Sequence, residues 1–382
     1  MNILFICGSI EMGKDGVGDY TRRLAGEFIR LGHKASIVAI NDRFVKKLNY
    51  DPILDVYTNI PTIRIPSALN DQSKKEIAGS FIQTQNPDWV SVQFVPFSFH
   101  SRGIPFKLGG LLYPLIMNRK RHVMFHELWI GVYGSHTFKS VLLGWIQKVC
   151  IRYFLDKVQF NCVSTSNDCY LKKLSGLNAF HLPIFGNIPV SKNGSNFKKR
   201  ETELHAIVFG TITSDLNQFE EQLKWLLRFA QSKSKKLKVH FIGNGGAMVS
   251  KARSLVIELI GEANFQSLGF LQDSYLSSLI SQMDIGVSRA DYQLFEKSGT
   301  TMSLLEHGLP VLLKGKRPVT TGRKNSSLYY EQLFFASDPL PDSLFRFRIR
   351  SGLNNTAIQF IEKLDNYKSE TDPSVYSLNL NV

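Results

Sequence analysis

Short apolar runs alternate with longer amphipathic stretches along the chain. Ile3–Cys7 is apolar at every position, which predicts a strand buried on both faces, and the loop Gly8–Gly18 follows it. Over Tyr20–Leu31, Leu24, Phe28 and Leu31 recur at helical spacing, and Gly32 is placed to close that helix. Ala35–Ile40, Trp89–Phe94, His122–Phe125 and Phe160–Ser164 read as further strands, the last preceded by a helical pattern over Phe138–Leu155. Strands separated by helices predict a parallel sheet with crossover connections.

The pattern begins again near residue 205. Ala206–Gly210, Lys238–Ile242, Phe265–Leu268, Ile285–Ser288 and Pro310–Leu313 predict strands. Gln218–Ala230, Ala247–Ile260, Ser274–Gln282 and Thr300–Glu306 predict the helices between them. The stretch Asn187–Arg200, with Pro189, Asn193, Gly194, Ser195 and the run Lys198-Lys199-Arg200, has the composition of a linker. No repeat of solenoid length is present. The expectation is an α/β chain of two domains.

Composition agrees: 382 residues exceed one simple core, and 43% hydrophobic with 20% charged residues excludes wholesale disorder. The formal charge of +14 calls for a polyanionic partner: nucleic acid, an anionic membrane surface or an anionic substrate. Cys7, Cys150, Cys162 and Cys169 form no CxxC pair and read as reduced thiols of a cytosolic protein. The first residues read as a strand rather than a signal peptide. The nearest approach to a membrane span, Leu108–Met117, is short and broken by Gly109, Gly110 and Pro114. The chain is expected to be soluble, or at most to rest on a membrane.

Two places carry candidate chemistry. The loop Gly8–Gly18 leads into a helix N-terminus, where Gly16 and Gly18 let backbone N–H groups approach an anion; a flexible turn is the alternative. In Glu296-Lys-Ser-Gly-Thr-Thr301, Ser298, Gly299, Thr300 and Thr301 open a helix and can ligate a diphosphate beside the Lys297 cation. Ordinary N-capping by Ser298 or Thr300 explains the same residues. Glu306 can bond a ribose hydroxyl or lie on a solvated surface.

Gly16-Val-Gly-Asp-Tyr-Thr21, Phe125-His-Glu-Leu-Trp-Ile-Gly131, Lys297-Ser-Gly299 and Leu305-Glu-His-Gly-Leu-Pro-Val311 resemble glycosyltransferase family 4. The resemblance covers roughly Met1 to Leu313 and implies a GT-B fold: two Rossmann-like domains facing a central cleft. It places an acceptor-binding domain at 1–187, a linker at 188–203 and a nucleotide-sugar-binding domain at 204–350. A C-terminal helix and tail, 351–382, would pack back on the first domain. It further implies retaining transfer from a nucleotide sugar to a glycan or lipid-linked acceptor, with no metal or other cofactor. Charge developing on the leaving diphosphate would be stabilised by cations and helix N-termini. His126 and Lys297 would act at the reacting centre. Gly16, Gly18, Gly210, Arg289, Glu296, Ser298, Gly299, Thr300, Thr301 and Glu306 would hold the donor, and Asp19, Tyr20, Glu127 and Trp129 the acceptor. Without the resemblance His126 reads as a core or surface histidine, and Glu127 as a residue orienting its loop.

The chain departs from the family at two places. Ser298 stands eight positions before Glu306, where many members carry a Glu, and Gly210–Phe219 holds neither the Arg nor the Lys usual after the first strand of the second domain. Lys297, then Arg289, are the replacement cations. His122, four residues before His126, has no helical HExxH around it, so no zinc site is expected. Ser164 and Ser166 form no nucleophile elbow, and no P-loop is present. Residues 1–190 hold +9 of the charge, and Phe97, Phe99, Phe106, Leu111, Leu112 and Tyr113 lie near Arg119-Lys-Arg121. That combination suits an anionic membrane at the cytoplasmic face, or else a buried helix ending in a solvated basic turn. Two other functions fit the sequence: a sugar-nucleotide epimerase and a non-catalytic polyanion binder. No nucleic-acid module is recognisable.

Overall fold

The computed structural model describes residues 1–133, 137–190, 201–210, 212, 216–243, 248–318 and 328–367. They fall into two compact units, Met1–Pro183 with Leu353–Val382, and Ile184–Gly352.

The first unit opens with β1 (Asn2–Cys7), α1 (Gly16–Arg30) and β2 (Lys34–Asp42), then the hairpin β3 (Ile53–Asp55) and β4 (Thr58–Ile60). After it come β5 (Thr62–Pro66), α2 (Asp71–Gln85), β6 (Trp89–Phe94), the single turn α3 (Pro96–Phe99) and α4 (Leu108–Ile116). β7 (Lys120–Phe125), the long α5 (Phe138–Val158), β8 (Cys162–Thr165), α6 (Asp168–Lys173) and the short β9 (Phe180–His181) complete the run. The seven strands of the main sheet pair in parallel in the order β5-β2-β1-β6-β7-β8-β9. β1 lies inside the sheet between β2 and β6, and both faces of its apolar run Ile3–Cys7 are covered. Val90, Val92, Phe94, Val123 and Phe125 pack on one face with Leu112 of α4 and Phe154 of α5.

α1 begins at Gly16, four residues before the expected Tyr20. Asp15 caps it, its carboxylate accepting the N–H groups of Val17 and Gly18. The apolar stretch of α4 faces inward, with Leu108, Leu111, Leu112 and Ile116 in the core. Leu111 and Leu112 are therefore not part of a membrane-facing patch beside Arg119. Lys120 and Arg121 open β7, and Lys120 Nζ lies 5.5 Å from the Trp89 ring. Phe97 and Phe106 remain exposed. Among the described residues no helix is long and apolar enough to cross a membrane.

The second unit carries β10 (Glu203–Phe209), α7 (Leu216–Ser232), β11 (Lys236–Ile242), α8 (Val249–Ile260), β12 (Phe265–Gly269) and α9 (Asp273–Ile280). β13 (Ile285–Asp291), α10 (Gly299–Glu306), β14 (Val311–Lys314) and β15 (Leu333–Phe335) follow. Its parallel sheet runs β12-β11-β10-β13-β14-β15. Phe219, Leu223 and Leu226 recur along α7 and pack on Val208, Val239 and Val287.

The units divide at Pro183 rather than after residue 187. Asn187 donates its N–H to the Gly299 carbonyl at 3.2 Å, and Ile188 donates its own to Ser303 Oγ at 3.1 Å, which ties both to the second unit. Most of the expected linker, 191–200, lies outside the described residues. α11 (Gly352–Asp365) contributes Leu353 onward to the first unit. There Phe360 meets Phe28 with ring centroids 5.8 Å apart, and Asn354 bonds Glu27 at 2.8 Å.

Candidate functional site

In open α/β sheets ligands bind beyond the carboxyl ends of the strands, where the strand order reverses. In the first unit that point lies between β1 and β6. Here the chain fills it with its own backbone. A Cβ on Gly8, just past β1, would stand 2.5 Å from the carbonyl oxygen of Ser98 in α3.

The glycine loop is likewise occupied from within. The Asp15 carboxylate that caps α1 also accepts the Ser9 hydroxyl, so the first N–H groups of the helix already face an anion. Gly16 is exposed at the start of α1. Gly18 is required by packing: a Cβ there would lie 2.7 Å from the Ser9 carbonyl oxygen and 2.8 Å from Ile10 Cα. The Gly18 N–H is thus taken by the Asp15 cap, and the place of its missing side chain by a close backbone approach. Asp19 is buried, accepting the Gly13 N–H at 3.1 Å and lying 3.7 Å from Arg22.

His126 stands just past β7, with Tyr20 edge-on to its ring at 4.9 Å between centroids. Both are buried, and burial raises the Tyr20 phenol pKa. A chain of hydrogen bonds then crosses one face of the sheet. His126 Nε2 meets Gln93 Oε1 at 2.8 Å, and Gln93 Nε2 donates to Ser91 Oγ at 2.7 Å. Ser91 Oγ meets His122 Nδ1 at 2.8 Å, His122 Nε2 meets Ser164 Oγ at 2.9 Å, and Ser164 donates to Met124 Sδ at 2.9 Å. Glu127 points outward, while Trp129 is buried beneath Lys148, whose Nζ lies 5.0 Å from the ring centroid. The structure thus brings His126 and Tyr20 together and leaves Asp19 to its own partners.

In the second unit the order reverses between β10 and β13, and candidate donor residues meet there. Gly210, just past β10, has φ +100°, and a Cβ on it would stand 3.1 Å from Thr300 Cγ2. Ser298 caps α10, accepting the Thr301 N–H at 3.2 Å and the Thr301 hydroxyl at 2.8 Å. Its own oxygen is 3.1 Å from Thr300 Oγ1, and Ser288 Oγ is 2.7 Å from Thr301 Oγ1. Four hydroxyls thus gather at a helix N-terminus beside a glycine backbone, an arrangement suited to anionic oxygens. Gly299 admits the side chain of Asn187, whose Oδ1 would stand 2.3 Å from a Cβ. Glu296 and Lys297 form the half-buried 3₁₀ turn just before the cap.

Two further candidates have partners within the second unit. Arg289 Nη1 donates to Gln222 Oε1 at 2.6 Å, and its guanidinium lies 5.3 Å from the Phe219 ring, holding it against α7. Glu306 is at the far end of α10 and 1% exposed, and its Oε1 accepts the Gly352 N–H at 3.0 Å. It is not solvated surface: a backbone group takes one of its oxygens.

Sequence reasoning passed over Gln93, Ser91 and Ser288. The signal for the first two was present in Trp89-Val-Ser-Val-Gln-Phe94, where polar residues alternate inside an otherwise apolar strand.

No protein-family model and no curated protein matches the chain. Solved structures do. Sucrose-phosphate synthase from Thermosynechococcus elongatus is 12% identical, with 96% of this chain and 90% of that chain covered at a TM-score of 0.56. UDP-GlcNAc 2-epimerase from Methanocaldococcus jannaschii is 9% identical, with 96% and 99% covered at 0.56. WaaG, a glycosyltransferase involved in lipopolysaccharide biosynthesis, is 14% identical, with 96% of each chain covered at 0.52. Such distant likeness carries the architecture alone: the chain is an α/β protein of the GT-B fold, each unit built on a Rossmann-like parallel sheet.

Proposed function

We propose that this chain is a sugar-nucleotide enzyme: a retaining glycosyltransferase that moves a sugar from a nucleotide sugar to a glycan or lipid-linked acceptor in cell-surface polysaccharide synthesis. The observation that carries the reading is the approach of Gly210 to Thr300 at the reversal point of the second sheet, beside the hydroxyls of Ser288, Ser298 and Thr301. The acceptor hydroxyl oxygen bonds to the anomeric carbon as the bond to the diphosphate breaks; the electron pair leaves with the diphosphate, whose oxygen takes up the hydroxyl proton. Donors fixed before the reaction stabilise that growing charge without reorganising. Lys297 is the cation next to the cap, and His126 with Tyr20 serves the acceptor side. The resemblance to family 4 and the fold shared with sucrose-phosphate synthase and WaaG support this assignment.

Thermal unfolding with UDP-, GDP-, dTDP- and ADP-sugars tests it, because a ligand that binds only the folded state raises the midpoint. Stabilisation by one base, followed by acceptor-dependent consumption of that donor, is the expected result; a flat panel removes the reading. A sugar-nucleotide epimerase is the second reading, supported by the match to the archaeal 2-epimerase over nearly the full length of both chains. Incubation with donor alone separates them, since an epimerase converts it with no acceptor present.

A further inference from the structure

The hairpin β3–β4 turns its apolar side chains to solvent and its charge inward. Leu54 and Val56 are exposed, and Tyr57 at the tip is 95% exposed. Asp55, between them, is buried. It accepts from Arg22 Nη1 at 2.9 Å and from Arg30 Nη1 at 3.1 Å, both on α1. It closes on that helix at Gly26, where a Cβ would stand 2.5 Å from Asp55 Oδ2. Val56 has φ +55°, a conformation that a β-branched residue adopts only under constraint. Strain of this kind persists where the surroundings hold it, and it gathers at ligand clamps. A buried charge cluster thus fixes an apolar, aromatic tip in water, the reverse of what stability alone selects.

The segment that leads to the hairpin supplies cations. Arg43, Lys46 and Lys47 are exposed, and so is Tyr50, at 59%. Arg43 and Lys14 share the Phe44 ring, 5.1 and 5.7 Å from its centroid. The carboxylates nearby are committed elsewhere: Glu11 and Asp42 take Arg64 at 2.6 and 2.7 Å, and Asp51 takes Asn49 at 2.8 Å. The segment starts at the carboxyl end of β2, where open sheets present ligands. It then descends beside β5, Asn49 bridging Arg64 on the way. Asp42 and Ile37 of β2, level with Pro66 and Thr62 of β5, mark its span, about 17 Å at the rise of a strand. A chain of acidic sugars fits both features. A sugar ring lays its apolar C–H face on an aromatic ring, while the phenol of tyrosine stays hydrated. The carboxylates of the same chain meet guanidinium and ammonium groups. We infer that residues 43–57 form an extended subsite for an acidic glycan, with Tyr50 and Tyr57 as stacking platforms and Arg43, Lys46 and Lys47 as anion contacts. Naming that glycan the acceptor rests on the sugar-transfer reading; the binding itself does not.

The experiment titrates the full chain, with no donor present, against tetragalacturonate, maltotetraose and a tetraglutamate peptide. The first has both sugar rings and carboxylates, the second rings alone and the third carboxylates alone. Tetragalacturonate should bind about tenfold or more tightly than either control, and salt should weaken it. Tyr50→Ser with Tyr57→Ser should weaken tetragalacturonate by about tenfold and leave the peptide unchanged, while Tyr50→Phe with Tyr57→Phe keeps the rings and the binding. Arg43→Ser, Lys46→Ser and Lys47→Ser together should weaken both acids and flatten the salt dependence. Circular dichroism checks that each variant is folded. The inference is overturned if tetragalacturonate does not bind, if either control binds as tightly, or if the tyrosine-to-serine pair binds like wild type. Stabilisation by a nucleotide sugar without tetragalacturonate binding would keep the transferase reading and remove this one. Tetragalacturonate binding with a flat nucleotide-sugar panel would keep the glycan subsite and remove the transferase.

Discussion

His126 presents Nε2 to Gln93 Oε1 at 2.8 Å, and because an amide oxygen only accepts, the ring proton sits on Nε2. The remaining bonds run in one direction: Gln93 gives its N–H to Ser91, Ser91 gives its hydroxyl proton to His122 Nδ1, and His122 Nε2–H reaches Ser164. His126→Ala is therefore expected to lower turnover while leaving free nucleotide affinity within about threefold, roughly 0.65 kcal/mol. Gln93→Leu should lower turnover as well, and cost about 1–3 kcal/mol of stability by leaving buried groups unpaired. Kinetics, calorimetric titration and denaturant unfolding measure the three quantities. Full activity in His126→Ala would make it a packing residue.

The same chain predicts an acid limb of stability. Burial, with His126 adding like-charge repulsion, lowers the His122 pKa to about 3. The unfolded chain protonates near pH 6.5, so the stability tied to neutral His122 is intact above that value and lost as pH falls towards 3. Each such group steepens the loss by about 1.4 kcal/mol per pH unit within the window. His122→Gln should flatten the stability profile between about pH 6 and 4; an unchanged profile would locate the acid limb elsewhere, with His240, lowered to about 4 by burial and His205, as the next group to replace.

The strands most easily read from sequence are those buried on both faces. Ile3–Cys7 and Trp89–Phe94 stand out because a central parallel strand has no solvent side, and the observed strands agree to within a residue. The hairpin Ile53–Asp55 with Thr58–Ile60, and the edge strand Thr62–Pro66, escape the pattern because they are short, with Pro61 between them and Pro66 ending the last. α2 is passed over because its apolar side is thin: Lys74, Ala78 and Ile82 are its buried residues. At the candidate site, residue types were legible but partners were not. Asp15 as a cap was a local signal, an Asp one residue before the helix, hidden by the late start expected for α1. Gly299 as a berth for Asn187 depends on an approach between segments that no local spacing encodes.

Gly210→Ala separates backbone strain from crowding. At φ +100° any side chain is strained, and the added Cβ also meets Thr300 Cγ2 at 3.1 Å. Gly269, at φ +63°, has nothing within 4 Å of its Cβ position. Each alanine variant should lose upwards of about 1 kcal/mol, with Gly210→Ala losing more and alone weakening diphosphate binding. Equal behaviour of the two variants in thermal unfolding and titration would take Gly210 out of the donor site.

Glu306→Ala leaves the Gly352 N–H without the oxygen it bonds at 3.0 Å. The ligand-free chain should lose about 1–3 kcal/mol, and Glu306→Gln, which retains an accepting oxygen, should recover most of it. If instead both variants unfold like wild type and only nucleotide affinity falls, the carboxylate serves a ligand hydroxyl rather than the chain.

Lys297 ends the 3₁₀ turn that delivers the chain to Ser298, the cap of α10. That places its backbone immediately before Ser298, and its ammonium is the nearest cation in sequence to the three hydroxyls of Ser298, Thr300 and Thr301. An ammonium beside a half-shielded diphosphate is worth more than one in open water, since the effective dielectric near a protein surface is closer to 20 than to 80. A nucleoside carries no such charge. Lys297→Ala should therefore weaken nucleoside-diphosphate binding by about tenfold, or 1.4 kcal/mol, and nucleoside binding hardly at all. Raising the salt should narrow the difference by screening the phosphates. Calorimetry with both ligands at two ionic strengths measures it, and an equal loss for nucleoside and diphosphate would show that Lys297 shapes the turn without touching phosphate.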